Sequence, residues 1–110
     1  MLKKTISSIE SAIRRIHSID YERKTELLKL LDTLKTEVNV LGKENPEQAR
    51  SIAGFTEIAA HEATRVSQNP GLTKISQDGL MASVKEFETS HPILVDTAND
   101  ICVLLSRLGI

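Results

Sequence analysis

Tryptophan is absent, and the aromatic set stops at Tyr21, Phe55 and Phe87. A core without aromatic bulk has to be built from Ile, Leu, Val and Ala. That suits interdigitating helices and suits a small-molecule pocket poorly, because such pockets are usually walled by aromatic side chains. A lone cysteine, Cys102, excludes an internal disulfide and fits a reducing compartment, so a cytoplasmic location is expected. No apolar run approaches the length of a membrane-spanning helix. A basic excess is missing too: the net charge is −1, which argues against a nucleic-acid binder. Gly-rich phosphate loops, a nucleophile elbow and paired-cysteine metal motifs are also lacking. Met1-Leu2-Lys3-Lys4 opens like a secretory n-region, but the polar residues of Thr5-Ile6-Ser7-Ser8-Ile9-Glu10 break any apolar h-region. The same Ser- and Arg-rich stretch resembles an organelle presequence, although its register reads as a structural helix.

The charge that is present is unevenly placed. Residues 1–43 carry nine Lys/Arg against six Asp/Glu, whereas residues 44–110 carry five against nine. The halves attract, favouring packing of one on the other, within a chain or between chains.

The 110 residues suffice for one domain, and their apolar positions recur at helical spacing. Leu2, Ile6, Ile9, Ile13 and Ile16 step by 4, 3, 4, 3, and Leu27, Leu31, Leu34, Val38 and Leu41 repeat that step. A first helix over about 2–17 is therefore expected, with His17 at the negative end of its dipole. Asp20 caps a second helix, over about 21–41, and Gly42 stands at its C′ position. Arg23/Glu26, Glu26/Lys29 and Asp32/Lys35 at i,i+3 read as its solvated face. Asn45-Pro46-Glu47-Gln48 starts a third helix, over about 46–67. Its seam is Ile52, Thr56, Ala59, Ala63 and Val66, with Ala49, Ala53 and Ala60 alongside. Asn69-Pro70-Gly71 is a turn before a fourth helix, over about 72–89, with Leu72, Leu80, Val84 and Phe87 inward; Gly79 weakens its first half. Ser90-His91-Pro92 restarts the chain into a fifth helix, over about 91–108, carrying Leu94, Ala98, Ile101, Leu105 and Leu108. Gly109-Ile110 reads as a Schellman ending. The class is thus all-α: a four- to five-helix bundle with coiled-coil-like aliphatic seams, in a single domain spanning 1–110.

Val84-Lys85-Glu86-Phe87-Glu88-Thr89-Ser90-His91-Pro92, followed by an apolar helix and Leu108-Gly109-Ile110, resembles the ending of a bacterial family of short helical proteins, domain-of-unknown-function family 4404. Its members end in V-x-x-F-E-x-S-H-P, an apolar helix and L-G-I or M-G-I. The motif positions in this sequence are Phe87, Glu88, Ser90, His91, Pro92, Gly109 and Ile110. The resemblance implies a bacterial origin and a helical fold, and implies no activity.

Candidate chemistry is sparse. His61-Glu62-Ala63-Thr64-Arg65 lacks the second histidine of a zinc-binding helix, because Arg65 holds that place. Glu57 and His61, at i,i+4, are expected to be a surface pair. His91 has no nearby second ligand and is expected to pack at the corner between the fourth and fifth helices, bonding a loop carbonyl. Cys102, on an apolar face, reads as a buried inert thiol. Asp96 and Asp100 form an acidic pair for which the basic first helix is the expected partner. No catalytic, cofactor-binding or metal-ligating residue is assigned, and no cofactor is expected. The expected function is a non-enzymatic module that self-associates or binds a protein partner. A homodimer is expected, its interaction seam being Ile6, Ile9, Ile13, Ile16, Leu27, Leu31, Leu34 and Val38, since these stripes outnumber what one small core is expected to cover. The rival readings are a ligand or metal site on the polar edge of the third helix and membrane-surface association through the first.

Overall fold

The chain, as a computed structural model, is described over residues 2–16 and 19–108, with the side chains of Leu2 and Lys3 excluded. Among these residues five helices follow in order: α1 (Leu2–Arg14), α2 (Tyr21–Leu41), α3 (Pro46–Thr64), α4 (Pro70–Val84) and α5 (Pro92–Leu108), with a 3-10 turn at Lys85–Phe87 between the last two. No strand occurs among the described residues.

Caps account for several boundaries. The Asp20 carboxylate accepts from the Arg23 amide at 3.0 Å, and Asn69 does the same for Leu72 at 3.2 Å. Pro46, Pro70 and Pro92 each open a helix, where the missing N–H costs nothing. Other ends differ from the sequence expectation. α1 stops at Arg14 and closes through 3-10 bonds from Arg15 and Ile16. Its terminal carbonyls are capped from outside: Lys24 Nζ donates to Arg14 O at 2.6 Å and Ile16 O at 2.7 Å. His17, expected to serve that end, lies outside the described residues, as do Gly109 and Ile110. Asn45 makes no side-chain cap bond, and Gly42 is right-handed helical, its N–H donating to Val38 O while the Lys43 N–H donates to Val40 O. α3 ends at Thr64 because Arg65 turns extended while Gln68 Nε2 takes the freed Ala63 carbonyl at 2.8 Å. Val66, expected in the seam, is therefore fully exposed. α4 stops at Val84, and the tighter 3-10 turn swings Phe87 into the core.

α1, α2, α5 and α4 form an arc, each touching the next, and α3 touches all four. The radius of gyration is 12.9 Å, against about 13 Å for a compact chain of this length. Ala49, Ala53, Ala59, Ala60 and Ala63 let the neighbours approach α3 closely. Around it pack Ile6, Ile9, Ile13, Leu27, Leu31, Leu34, Val38, Leu41, Leu80, Leu94, Ile101 and Leu105, all buried. Fully burying an aliphatic side chain of this size contributes about 1.5–3 kcal/mol.

This arrangement corrects the placement of the expected interaction seam. Ile6, Ile9, Ile13, Leu27, Leu31, Leu34 and Val38 are buried, and Ile16 is packed against the core. Two narrow stripes from α1 and α2 meet each other and α3, so their own chain covers them. One pair also changes meaning. Lys35, read as part of a solvated face, donates to Glu10 Oε1 on α1 at 2.8 Å, while Asp32 stands farther off at 3.8 Å. Glu10 is itself buried.

Candidate docking surface

The arc does not close: among the described residues α1 and α4 make no contact. α3 is left uncovered on the side between them, and it carries a second apolar stripe there. Ser51, Phe55, Ile58 and Glu62 step by 4, 3, 4 along that face, and Leu72, Ile75, Gly79 and Ala82 step by 3, 4, 3 along α4, with Glu86 following in the 3-10 turn. The two stripes line one furrow. Phe55, Ile58, Leu72 and Ile75 are 36%, 48%, 42% and 67% exposed, an unusual density of large apolar groups in contact with water. Leu72, expected inward, belongs to this set because α4 starts at Pro70 and its first turn lies beyond the core.

The furrow has two halves, and Phe55 belongs to both. A depression of about 130 Å³ is lined by Phe55, Ile58, Glu62, Leu72, Ile75 and Ser76. A broader one of about 310 Å³ is lined by Gln48, Ser51, Phe55, Gly79, Ala82, Ser83 and Glu86. The Phe55 ring lies directly over Gly79, where a Cβ would come within 2.5 Å of a ring carbon. Glycine is required here by close approach rather than by backbone conformation.

Most polar groups in and beside the furrow are already engaged. Glu62, buried, accepts from Arg65 Nη1 at 2.8 Å. Ser76 Oγ donates to Thr73 O at 2.9 Å, Ser83 Oγ to Leu80 O at 2.6 Å, and Lys74 pairs with Asp78 at 2.9 Å. The surface offers apolar contact and little polar chemistry.

The other candidates are less complete. Glu57 and His61 line a pocket of about 230 Å³ between α1 and α3, with Ser8, Ile9, Ala12, Ile13, Ala60 and Thr64. No three His, Cys, Asp or Glu residues converge as metal ligands among the described residues. A larger cleft of about 550 Å³ gathers Arg23, Arg65 and Arg107, but Arg23 faces Asp20 at 3.5 Å and Arg65 is held by Glu62. His91 packs edge-on against Phe87, ring centres 5.7 Å apart, and its Nδ1 lies 3.0 Å from Ser90 Oγ rather than on a loop carbonyl. Phe87 is buried, whereas Glu88, Ser90 and Pro92 are exposed. Cys102 is buried against α4, and desolvation, with the Asp78 charge second, pushes its thiol up to about 11. Asp96 and Asp100 are exposed on α5, which α1 does not touch; the expected acidic–basic contact is absent among the described residues because α2 and α3 stand between.

The family profile described as domain of unknown function (DUF4404) matches residues 2–110. The chain belongs to this family. The DUF4404 match takes in all five helices, so the furrow-forming α3 and α4 lie inside the family domain together with the Phe87–Pro92 motif. No curated protein and no solved structure matches the chain. Among the described residues no helix is long and apolar enough to cross a membrane.

Proposed function

We propose that this DUF4404 chain is a non-enzymatic association module whose docking face is the α3–α4 furrow. One observation carries the reading: four large apolar side chains, Phe55, Ile58, Leu72 and Ile75, stand together in solvent on a chain that buries its other stripes well. Contiguous apolar surface of this kind marks protein contact sites. The groups that could do chemistry lie apart: His61 exposed on α3, His91 against Phe87, and Cys102 as a protonated, buried thiol. A lone thiol suits the cytoplasm, and the resemblance in the Phe87–Pro92 motif supports a bacterial origin.

The test is a photo-reactive phenylalanine analogue placed at Ile75 and, as a control, at exposed Asn99 on α5. Irradiation of cells expressing each variant should give discrete protein adducts from position 75 and none from position 99. Absence of adducts from position 75 removes the reading.

A further inference from the structure

The two halves of the furrow are related in a way that identifies an occupant. Count outward from the Phe55–Gly79 contact. On α3, Glu62 lies seven residues to one side and Gln48 seven to the other; Leu72 on α4 lies seven before Gly79, and Glu86, in the 3-10 turn just past α4, lies seven after it. Seven residues are two α-helical turns, so Glu62, Gln48 and Leu72 return to the same face about 10 Å from the centre, and Glu86 lines the far end of the hollow. Between centre and ends, large residues on one side answer small ones on the other. Ile75 is four residues before Gly79, and Ala82 and Ser83 are three and four after it. Ile58 is three residues after Phe55, and Ser51 four before it. One half is a set of apolar knobs and the other a hollow floored by small side chains.

We propose that the furrow is a self-complementary surface and that its occupant is a second copy of this chain, docked antiparallel about a two-fold axis crossing Phe55 and Gly79. The inference rests on the docking face proposed above and names its partner. A rotation about an axis lying across the furrow reverses the furrow's direction while keeping α3 over α3 and α4 over α4. Ile75 of each copy then enters the hollow floored by Ala82 and Ser83 of the other, and Ile58 meets Ser51. The two Phe55 rings meet at the axis, where offset stacking is favourable. An isologous contact of this kind closes on itself and forms no chain of copies.

The charges agree with that orientation. Glu62 comes opposite Gln48, whose amide can donate to the carboxylate already held by Arg65. Glu86, exposed and without an ion-pair partner among the described residues, closes the hollow end. The rotation brings it beside Leu72 and within reach of Lys74. A parallel arrangement would instead set knobs on knobs and leave both hollows empty. The four exposed side chains present roughly 400 Å² of surface, inside the range of functional patches on soluble chains. A standard interface buries roughly 800 Å² per partner, so the hollow and the flanks of α3 and α4 complete the area.

The experiment uses the full chain in three forms: native, Ile75→Glu and Ala82→Trp. Both substitutions fall on solvent-exposed helical positions, and circular dichroism with urea unfolding establishes that each variant folds. Light scattering across a concentration series should give twice the 12.2 kDa chain mass for the native protein. Each variant should weaken dimerisation by about tenfold or more, one by burying a charge and the other by filling the hollow. Orientation is read by mixing Leu72→Cys and Glu86→Cys chains, both carrying Cys102→Ala. The mixture should form a disulfide-linked dimer, and neither variant should do so alone. Three results overturn the proposal: a native monomer at all concentrations, a dimer indifferent to both substitutions, or efficient linkage of Leu72→Cys to itself. If the protein is monomeric while position 75 still gives adducts in cells, the docking face stands and its occupant is another protein. Without adducts, both readings fall together.

Discussion

Gly54 and Gly79 are both interior glycines of α-helices, and the same substitution at each should have different consequences. Alanine is favoured over glycine inside a helix by about 1 kcal/mol. At Gly54 an added Cβ meets no heavy atom within 4 Å, so nothing opposes that gain. Gly54→Ala should stabilise the protein by about 0.5–1 kcal/mol, raising the melting temperature by about 4 °C. At Gly79 the same Cβ would stand 2.5 Å from Phe55 Cε1, 2.6 Å from Cδ1 and 3.2 Å from Cζ. Carbon atoms sit comfortably at about 3.5–4.0 Å, so the ring has to retreat by about 1 Å. It can do so, being 36% exposed, but it then gives up part of the surface it buries against α4. At about 25 cal/mol per Å² that loss is about 1–2 kcal/mol, which cancels or outweighs the helical gain. Urea unfolding followed by far-ultraviolet circular dichroism, at equal protomer concentration, should separate the variants by about 1–2 kcal/mol. In a Phe55→Ala background the obstruction is gone, and Gly79→Ala should recover its stabilisation of about 1 kcal/mol. If Gly79→Ala stabilises the native protein as much as Gly54→Ala does, Phe55 does not rest on Gly79 in solution.

Leu105 is fully buried on α5, and Leu105→Ala should cost about 2–5 kcal/mol through the cavity it leaves, measured by the same unfolding curves. Cys102 should resist a disulfide-exchange reagent at neutral pH and react at the rate of a free thiol once urea unfolds the chain; rapid reaction of the folded protein contradicts its burial. Its thiol is raised from 9.0 to about 11 on folding, so the folded state holds that proton more tightly. The associated stabilisation is complete below pH 9 and is lost as the pH rises from 9 toward 11, which alkaline unfolding midpoints of the native protein and Cys102→Ala will read. Lys35→Ala strands a buried Glu10 and should destabilise the protein clearly more than Lys29→Ala on the exposed face of α2; equal effects would remove the interhelical ion pair from the account.

The sequence made the helices readable because each stripe has a helical period and most breaks have chemical markers. α2 runs over Tyr21–Leu41, and Asp20 caps it as its side chain suggests. Periodicity states which face is apolar but not what covers it. The stripes of α1 and α2 therefore looked available to a second chain, yet α3 and α5 already lie on α2, and α3 on α1. The furrow was hidden for the opposite reason. α3 is apolar on two faces, and its alanine-rich inner seam drew the reading away from Phe55 and Ile58. Gly79 looked like a flaw in α4 because its value lies in contact with a residue 24 positions earlier. The partners of Lys24 and Lys35 were hidden similarly: they sit on α1 or just past its end, beyond the i,i+4 neighbourhood that sequence patterns report.

The central position of α3 bears on how the sequence can drift. A side chain that touches one neighbour can grow if that neighbour shifts, but α3 meets four helices, so a shift that relieves one contact tightens another. Ala49, Ala53, Ala59, Ala60 and Ala63 act together as a gauge that sets the girth of the bundle. Exchange among alanine, serine and glycine stays within its tolerance, whereas valine or leucine at any of these positions pries apart helices distant from one another in the chain. α1, which touches two helices among the described residues, has room to trade isoleucine for leucine or valine. Divergence among members of this family should therefore run fastest at α1 and slowest along the small-residue face of α3, even though that face contributes the least apolar bulk to the core.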